Sequence, residues 1–131
     1  MKFWRFNFES AAAVETSIAS RSIVLPTHLH PEAKNNPTEV VAKKLKIGDG
    51  VLLAEFSDSE GVVHAIGVVR SLSSETQTIE VDWARVTARL SVNPQGGFAQ
   101  WQKEACFKFA DDPAKRYNLT GLFTQHFGAN A

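Results

Sequence analysis

"IGDGVLLAEFSDSEGVVHAIGVVRSL", residues 47 to 72, decides the fold. Gly48 suits the end of a helix, where the left-handed conformation costs glycine least. Asp49 and Gly50 then turn the chain into "VLLAEF", which is apolar on both faces and so is expected to be a central strand. "SDSEG" predicts a hairpin loop, and "VVHAIGVVR" an antiparallel return. Gly67 interrupts the returning strand, which marks a bulge, a barrel corner or a close approach by another group.

Downstream, "SLSSETQ" turns again and "TIEVDW" sets Ile79, Val81 and Trp83 against Glu80 and Asp82. In "RVTARLSV" the apolar positions become Val86, Ala88, Leu90 and Val92. Odd positions give way to even ones, so a bulge or bend is expected near Ala84-Arg85. A glycine and a bulge in neighbouring strands predict a strongly curved, mostly antiparallel sheet tending to a barrel.

Upstream, "MKFWRFNFE" alternates as an opening strand, with Lys2, Trp4, Phe6 and Phe8 leaning one way and Phe3, Arg5 and Asn7 the other. Ser10 is placed to cap a short helix carrying Val14 and Ile18. "SIVL" reads as a brief strand, followed by a long irregular loop, "PTHLHPEAKNNP", of the kind that is functional or disordered in compact domains. Asn36-Pro37-Thr38-Glu39 opens a second helix that buries Val40, Val41 and Leu45. Between Ala33 and Ile47 the charges are Lys34, Lys43, Lys44 and Lys46 against Glu39 alone, the one clearly positive segment. At the far end, "FAQWQKEACFKF" begins as a helical turn and finishes as a short strand. In "DDPAKRYNLTGLFTQHF", Asp111 or Asp112 is placed to cap, and Leu119, Leu122, Phe123 and Phe127 share a stripe expected to pack on the barrel. The elements make an α+β domain, a curved sheet flanked by short helices.

Composition narrows the classes. The 131 residues fit a single domain, residues 1 to 131, and 44% apolar content is ordinary for a globular chain. Lys+Arg and Asp+Glu number 14 each, which removes the simplest signal of nucleic-acid binding, a strongly basic domain. Any basic surface must come from uneven distribution. The single cysteine, Cys106, cannot form an internal disulfide, and with no recognisable signal peptide the expectation is a cytoplasmic protein. The apolar runs are far too short for a membrane span.

"MKFWRFNFE", then "LKIGDGVLLAEF" after a helix, then "GVVHAIGVVRSL", resemble the successive landmarks of the EVE domain. That family belongs to the PUA-like group of small curved β-barrels, with the ASCH and YTH domains. "IEVDW" and the C-terminal segment from Phe98 also resemble EVE-like modules attached to motor proteins of modified-cytosine restriction systems. The resemblance implies a PUA-like barrel that binds nucleic acid, DNA or RNA, and reads a modified base flipped into an aromatic pocket. It also implies a partner NTPase or nuclease, since this chain has no phosphate-cradling glycine loop. The family's "W-x-G-V-R-N" segment is missing, and "LPTHLHPEAKNNPTEV" stands in its place. Ligand identity is therefore not carried over; only the scaffold and Trp4, Gly48, Asp49 and Gly67 match by position.

The chemistry of such a pocket selects candidates. A base stacked on an aromatic ring gains about 1–3 kcal/mol, against an extrusion cost of a few kcal/mol, so hydrogen bonds and phosphate contacts must add to it. Trp4, Trp83 and Trp101 are the stacking candidates. Asp82, Asn35, Asn36, His28 and His30 are candidates for the base edge, and Lys34, Lys43, Lys44, Arg70, Arg85 and Arg89 for phosphates. Each has a plainer reading. Trp4 and Trp83 lie on apolar strand faces as core residues would, Trp101 suits a lid over one end, and the asparagines suit turns and a cap. Arg85 sits at the expected register slip, where bulges re-aim side chains.

Enzyme readings find less support. His28-x-His30 has no third metal ligand at useful spacing, so no metal or other cofactor is expected. Cys106 has no neighbouring His and reads as an inert buried thiol, and His64 reads as a satisfied core histidine. Two other classes compete with the reader. A protein-interaction module would suit the neutral charge and the C-terminal aromatic stripe. A small ASCH-like hydrolase would need a convergent polar nucleophile with Lys, Glu or Asp.

Overall fold

The computed structural model describes residues 1–8, 10–24, 44–73, 78–92 and 97–128. Among these residues six strands form one mixed sheet: β1 Phe3–Phe6, β2 Ser22–Val24, β3 Gly50–Ser57, β4 Glu60–Ser73, β5 Thr78–Ser91 and β6 Cys106–Lys108. Their order is β2-β5-β4-β3-β1-β6. Only β1 and β3 run parallel; every other neighbouring pair is antiparallel. The sheet curls strongly into a half-barrel with short helices around it. These are α1 Ala11–Ser20, α2 Phe98–Lys103, α3 Asp111–Arg116 and α4 Leu119–Phe127. The α+β class and the strongly curved, mostly antiparallel sheet stand as expected, and among the described residues the sheet that tends to a barrel is a half-barrel.

The 47–72 stretch folds as its pattern requires. β3 and β4 pair from Gly50↔Val68 to Ser57↔Glu60, joined by only Asp58 and Ser59. Both of those residues have positive φ, 52° and 66°, the backbone of a two-residue type I′ hairpin whose twist suits the flanking strands. The loop is thus tighter than the five residues expected, and β4 runs on through Ser73 where a turn was anticipated. At the N-terminal side, Ser10 caps α1 as expected, its Oγ accepting from the Ala13 N–H at 3.2 Å. Ala110, not Asp111 or Asp112, stands at the N-cap of α3; both aspartates lie in its first turn, where a carboxylate still complements the helix dipole.

Both faces of the sheet are covered. Trp4, Phe6, Val51, Leu53, Val69 and Val81 form one core together with Val14 of α1. Leu52, Ala54, Val63, Ile66 and Val68 form the other, covered by Trp101 of α2 and by Leu119 and Phe123 of α4. A central strand buried on both sides explains the unbroken apolar run of "VLLAEF".

β5 shows what its shifting pattern meant. Ile79, Val81 and Trp83 pack on the first core, while Ala84, Val86, Ala88 and Leu90 pack on the second. Odd residues keep to one face and even residues to the other; what changes along the strand is which face is buried. A bulge is present nonetheless. Val63 pairs with Ala88 and Ala65 with Arg85, so His64 alone opposes Val86 and Thr87, just beyond the expected slip.

Gly67 answers the question its position poses. It pairs with Trp83, and a Cβ placed on it would stand 2.3 Å from Val81 Cγ1 and 2.8 Å from the Trp83 ring. The glycine is there because neighbouring side chains of β5 occupy the space.

Candidate functional site

Asp49 organises the entry to β3. Its carboxylate is 6% exposed and accepts from the backbone N–H groups of Lys2 (3.1 Å) and Lys46 (3.0 Å). It also accepts from Trp4 Nε1 at 3.2 Å. Gly48, with φ +92° and open space around it, lets the chain bend so that Asp49 points inward. The resemblance matched Trp4, Gly48 and Asp49 by position, and they work together as structure. Trp4 has no exposed surface. The hollow expected inside the curled sheet is filled by Trp4, Phe6 and their neighbours, because the first core packs there.

Trp101 is buried as well, edge-to-face with Phe107 and Phe109 at 5.5 and 5.9 Å. Beneath it lies Arg5, a fully buried cation that the sequence pattern gave no reason to single out. Its guanidinium sits 4.8 Å from the Trp101 ring centroid and donates to the carbonyls of Ala54, Trp101 and Glu104 at 2.9–3.0 Å. Burial lowers its pKa to about 10, so it stays charged at neutral pH. Cys106 is buried alongside, and loss of solvation drives its thiol pKa up, which fits the inert reading. Trp83 alone of the three tryptophans retains partial exposure, with its indole N–H donating to the Ser22 carbonyl at 3.2 Å.

The arginines proposed for phosphates do not converge. Arg70 pairs with Asp82 at 2.5 Å on the face that carries the second core. Arg85 pairs bidentately with Glu15 of α1 on the opposite face, and Arg89 meets Glu60 at 3.3 Å near the β3–β4 hairpin. Each brings its own carboxylate, so Asp82, a base-edge candidate, is engaged in an ion pair. Lys44 is exposed. His28, His30, Lys34, Asn35, Asn36 and Lys43 lie outside the described residues, as does most of the expected helix after Asn36.

What the structure does bring together is a cleft of about 180 Å³ at the bulge, where Val14 and Glu15 of α1 face His64, Arg85, Val86 and Thr87. The bulge gives His64 two opposing residues instead of one and locally interrupts the β4–β5 ladder. His64 is 39% exposed in its side chain, so it is not the core histidine expected. Its Nε2 lies 3.4 Å from Glu55 Oε1, and Phe8 meets its ring edge-on at 5.1 Å. Arg85 is fixed in turn: hydrogen bonding and charge from Glu15 hold its pKa up, and Arg85 holds that of Glu15 down. Two cationic or titratable side chains, a carboxylate and a hydroxyl thus share one recess. Arg85 was legible through its place at the slip in pattern. Glu15 and Phe8 were not, because nothing in the local sequence says that α1 docks against β5.

Among the described residues no helix is long and apolar enough to cross a membrane. No protein-family model matches the chain, and a search of the curated proteins finds no match.

Proposed function

We propose that this domain is a nucleic-acid reader that receives one unstacked base in the cleft between α1 and the β4–β5 bulge. The observation that carries the reading is the Arg85–Glu15 pair at the mouth of a recess shared with His64. A guanidinium alone can only donate and a carboxylate alone can only accept; side by side they offer both, as the edge of a nucleobase requires. His64, steadied by Phe8 and Glu55, supplies a planar ring at the same place. The resemblance in the order of strand, Gly-Asp turn and glycine-bearing strand supports the same class, with a modified base in DNA or RNA as ligand. A partner NTPase or nuclease would supply the reaction, because the chain carries no phosphate-cradling loop of its own.

The competing interaction module drew on the C-terminal stripe, and that stripe is spent on the second core: Leu119 and Phe123 are buried. The hydrolase reading needs a convergent polar nucleophile: Cys106 is a buried thiol with a raised pKa, and beside the Thr87 hydroxyl the Glu15 carboxylate is already engaged by Arg85.

Because Arg70 faces away from Arg85, few phosphates can be met at once by the described residues. Single-stranded binding is expected to weaken with salt at a slope of about −0.7 to −1.4 in log–log terms, the signature of one or two phosphate contacts. Fluorescence anisotropy with oligonucleotides bearing and lacking base modifications, at two salt concentrations, tests this. The expected result is saturable binding with a modification preference that Arg85→Gln lowers about tenfold. Absence of binding to any oligonucleotide at either salt concentration overturns the reading.

A further inference from the structure

On the other side of the molecule, a recess of about 270 Å³ lies between β6 and helices α2 and α3. Its walls include Trp101, Phe107, Phe109 and Tyr117, with Lys108 and Arg116 among the lining residues. The rings form a connected set: Phe107 meets Phe109 at 5.1 Å, and Phe109 meets Tyr117 at 6.0 Å, both edge-to-face. Trp101, Phe107 and Phe109 are buried, so the recess is floored by fixed ring edges, while Tyr117 keeps partial exposure at its rim.

The charges here differ from those on the sheet. Arg70, Arg85 and Arg89 each have a carboxylate partner. Among the described residues neither Lys108 nor Arg116 is in an ion pair, and both are exposed. Of the nearby acids, Asp111 is bonded to Lys2 Nζ at 3.3 Å, and neither it nor Asp112 lines the recess. Arg116 lies over the Tyr117 ring, 5.5 Å from its centroid. Stacking holds a guanidinium plane while leaving its edge N–H groups free for a bidentate oxyanion. Lys108, from β6, adds a second point charge.

We propose that this recess binds a ring-bearing monophosphate, with the planar ring against the aromatic wall and the phosphate dianion between Lys108 and Arg116. Two cations without carboxylates match a dianion, and the apolar floor matches the ring; neither half alone would explain the other. The site is independent of the cleft at the bulge.

The test is a titration of ¹⁵N-labelled protein with adenosine 5′-monophosphate, following the Trp101 indole N–H signal, with isothermal calorimetry for affinity. Saturable binding is expected, with adenosine and inorganic phosphate each at least tenfold weaker. Lys108→Gln and Arg116→Gln are each expected to weaken the monophosphate about tenfold with unchanged circular dichroism and thermal midpoint. A 5′-phosphorylated dinucleotide that binds more tightly than the mononucleotide supports the site and assigns it to a strand terminus; the reverse order supports it and assigns it to a free nucleotide. No shift at Trp101, adenosine binding as well as its monophosphate, or indifference to both substitutions overturns the proposal.

Discussion

Trp4 Nε1 donates to Asp49 Oδ2 across 3.2 Å, tying the opening strand to the turn that launches β3. The same carboxylate holds the backbone N–H groups of Lys2 and Lys46, so Asp49→Ala orphans three donors at once. The expected loss is about 3–5 kcal/mol of stability, since each stranded buried donor costs about 1–3 kcal/mol. Asp49→Asn keeps one acceptor oxygen and should lose about 1–2 kcal/mol. Urea unfolding monitored by tryptophan fluorescence ranks the two; equal losses would show that the whole effect lies in the carboxylate's charge and second oxygen, and that the acceptor asparagine retains contributes nothing.

Alkaline pH should unfold the protein through Cys106. The thiol's folded pKa lies above its ordinary 9.0, so above that pH the unfolded chain releases a proton that the native state keeps. Stability is then whole below pH 9.0 and falls by up to about 1.4 kcal/mol per pH unit as pH rises further. Arg5 works in the opposite sense, because its folded pKa is depressed. The native state sheds that proton first, so above about pH 10 the two slopes oppose one another. Between pH 9 and 10 only the thiol acts. Cys106→Ala should lower stability overall yet flatten this interval, and a decline that survives the substitution would assign it to other groups.

Gly67→Ala is expected to cost about 1–3 kcal/mol through overpacking. The new methyl would press on Val81, on the Trp83 ring and on the backbone carbonyl of Asp82 at 2.9 Å. Since one of those atoms is backbone, Trp83→Leu in the same chain should restore part of the loss and not all of it. Thermal unfolding of the single and double variants checks this; complete recovery would mean that the ring alone excludes the methyl.

Removing the acid from the Arg85–Glu15 pair separates recognition from attraction. Glu15→Gln frees one cation, so oligonucleotide binding at low salt should tighten and its salt slope should steepen by about 0.7–0.9. Discrimination among bases should fall at the same time, because one of the two acceptor oxygens beside the guanidinium becomes an NH2 donor. Anisotropy titrations at several salt concentrations read both effects, and an unchanged slope would show that Arg85 meets no phosphate.

Much of this scaffold is legible in the residues. The β3–β4 hairpin, the Ser10 cap and the buried Leu119–Phe123 stripe follow from local pattern, which is governed by near neighbours in the chain. What failed locally depended on partners far away. Arg5 falls on the face of β1 that alternation leaves for polar residues, and only the carbonyls of Ala54, Trp101 and Glu104 make its burial tolerable. Asp49 looked like a turn residue, and the indole that anchors it lies 45 positions earlier. The parity change in β5 was real, but a strand passing from one core to another writes the same pattern as a slipped register.

The placement of β1 between β3 and β6 has a consequence for synthesis. Arg5 finds its Glu104 acceptor 99 positions later, an interval of roughly 5–20 s at the usual rates of translation. Until Cys106–Lys108 leaves the ribosome, the nascent first strand shows Trp4 and Phe6 beside an unclaimed edge, open to any other extended chain. Yield in a cell should therefore depend on how promptly β6 is made and docked, as well as on the equilibrium stability of the finished molecule.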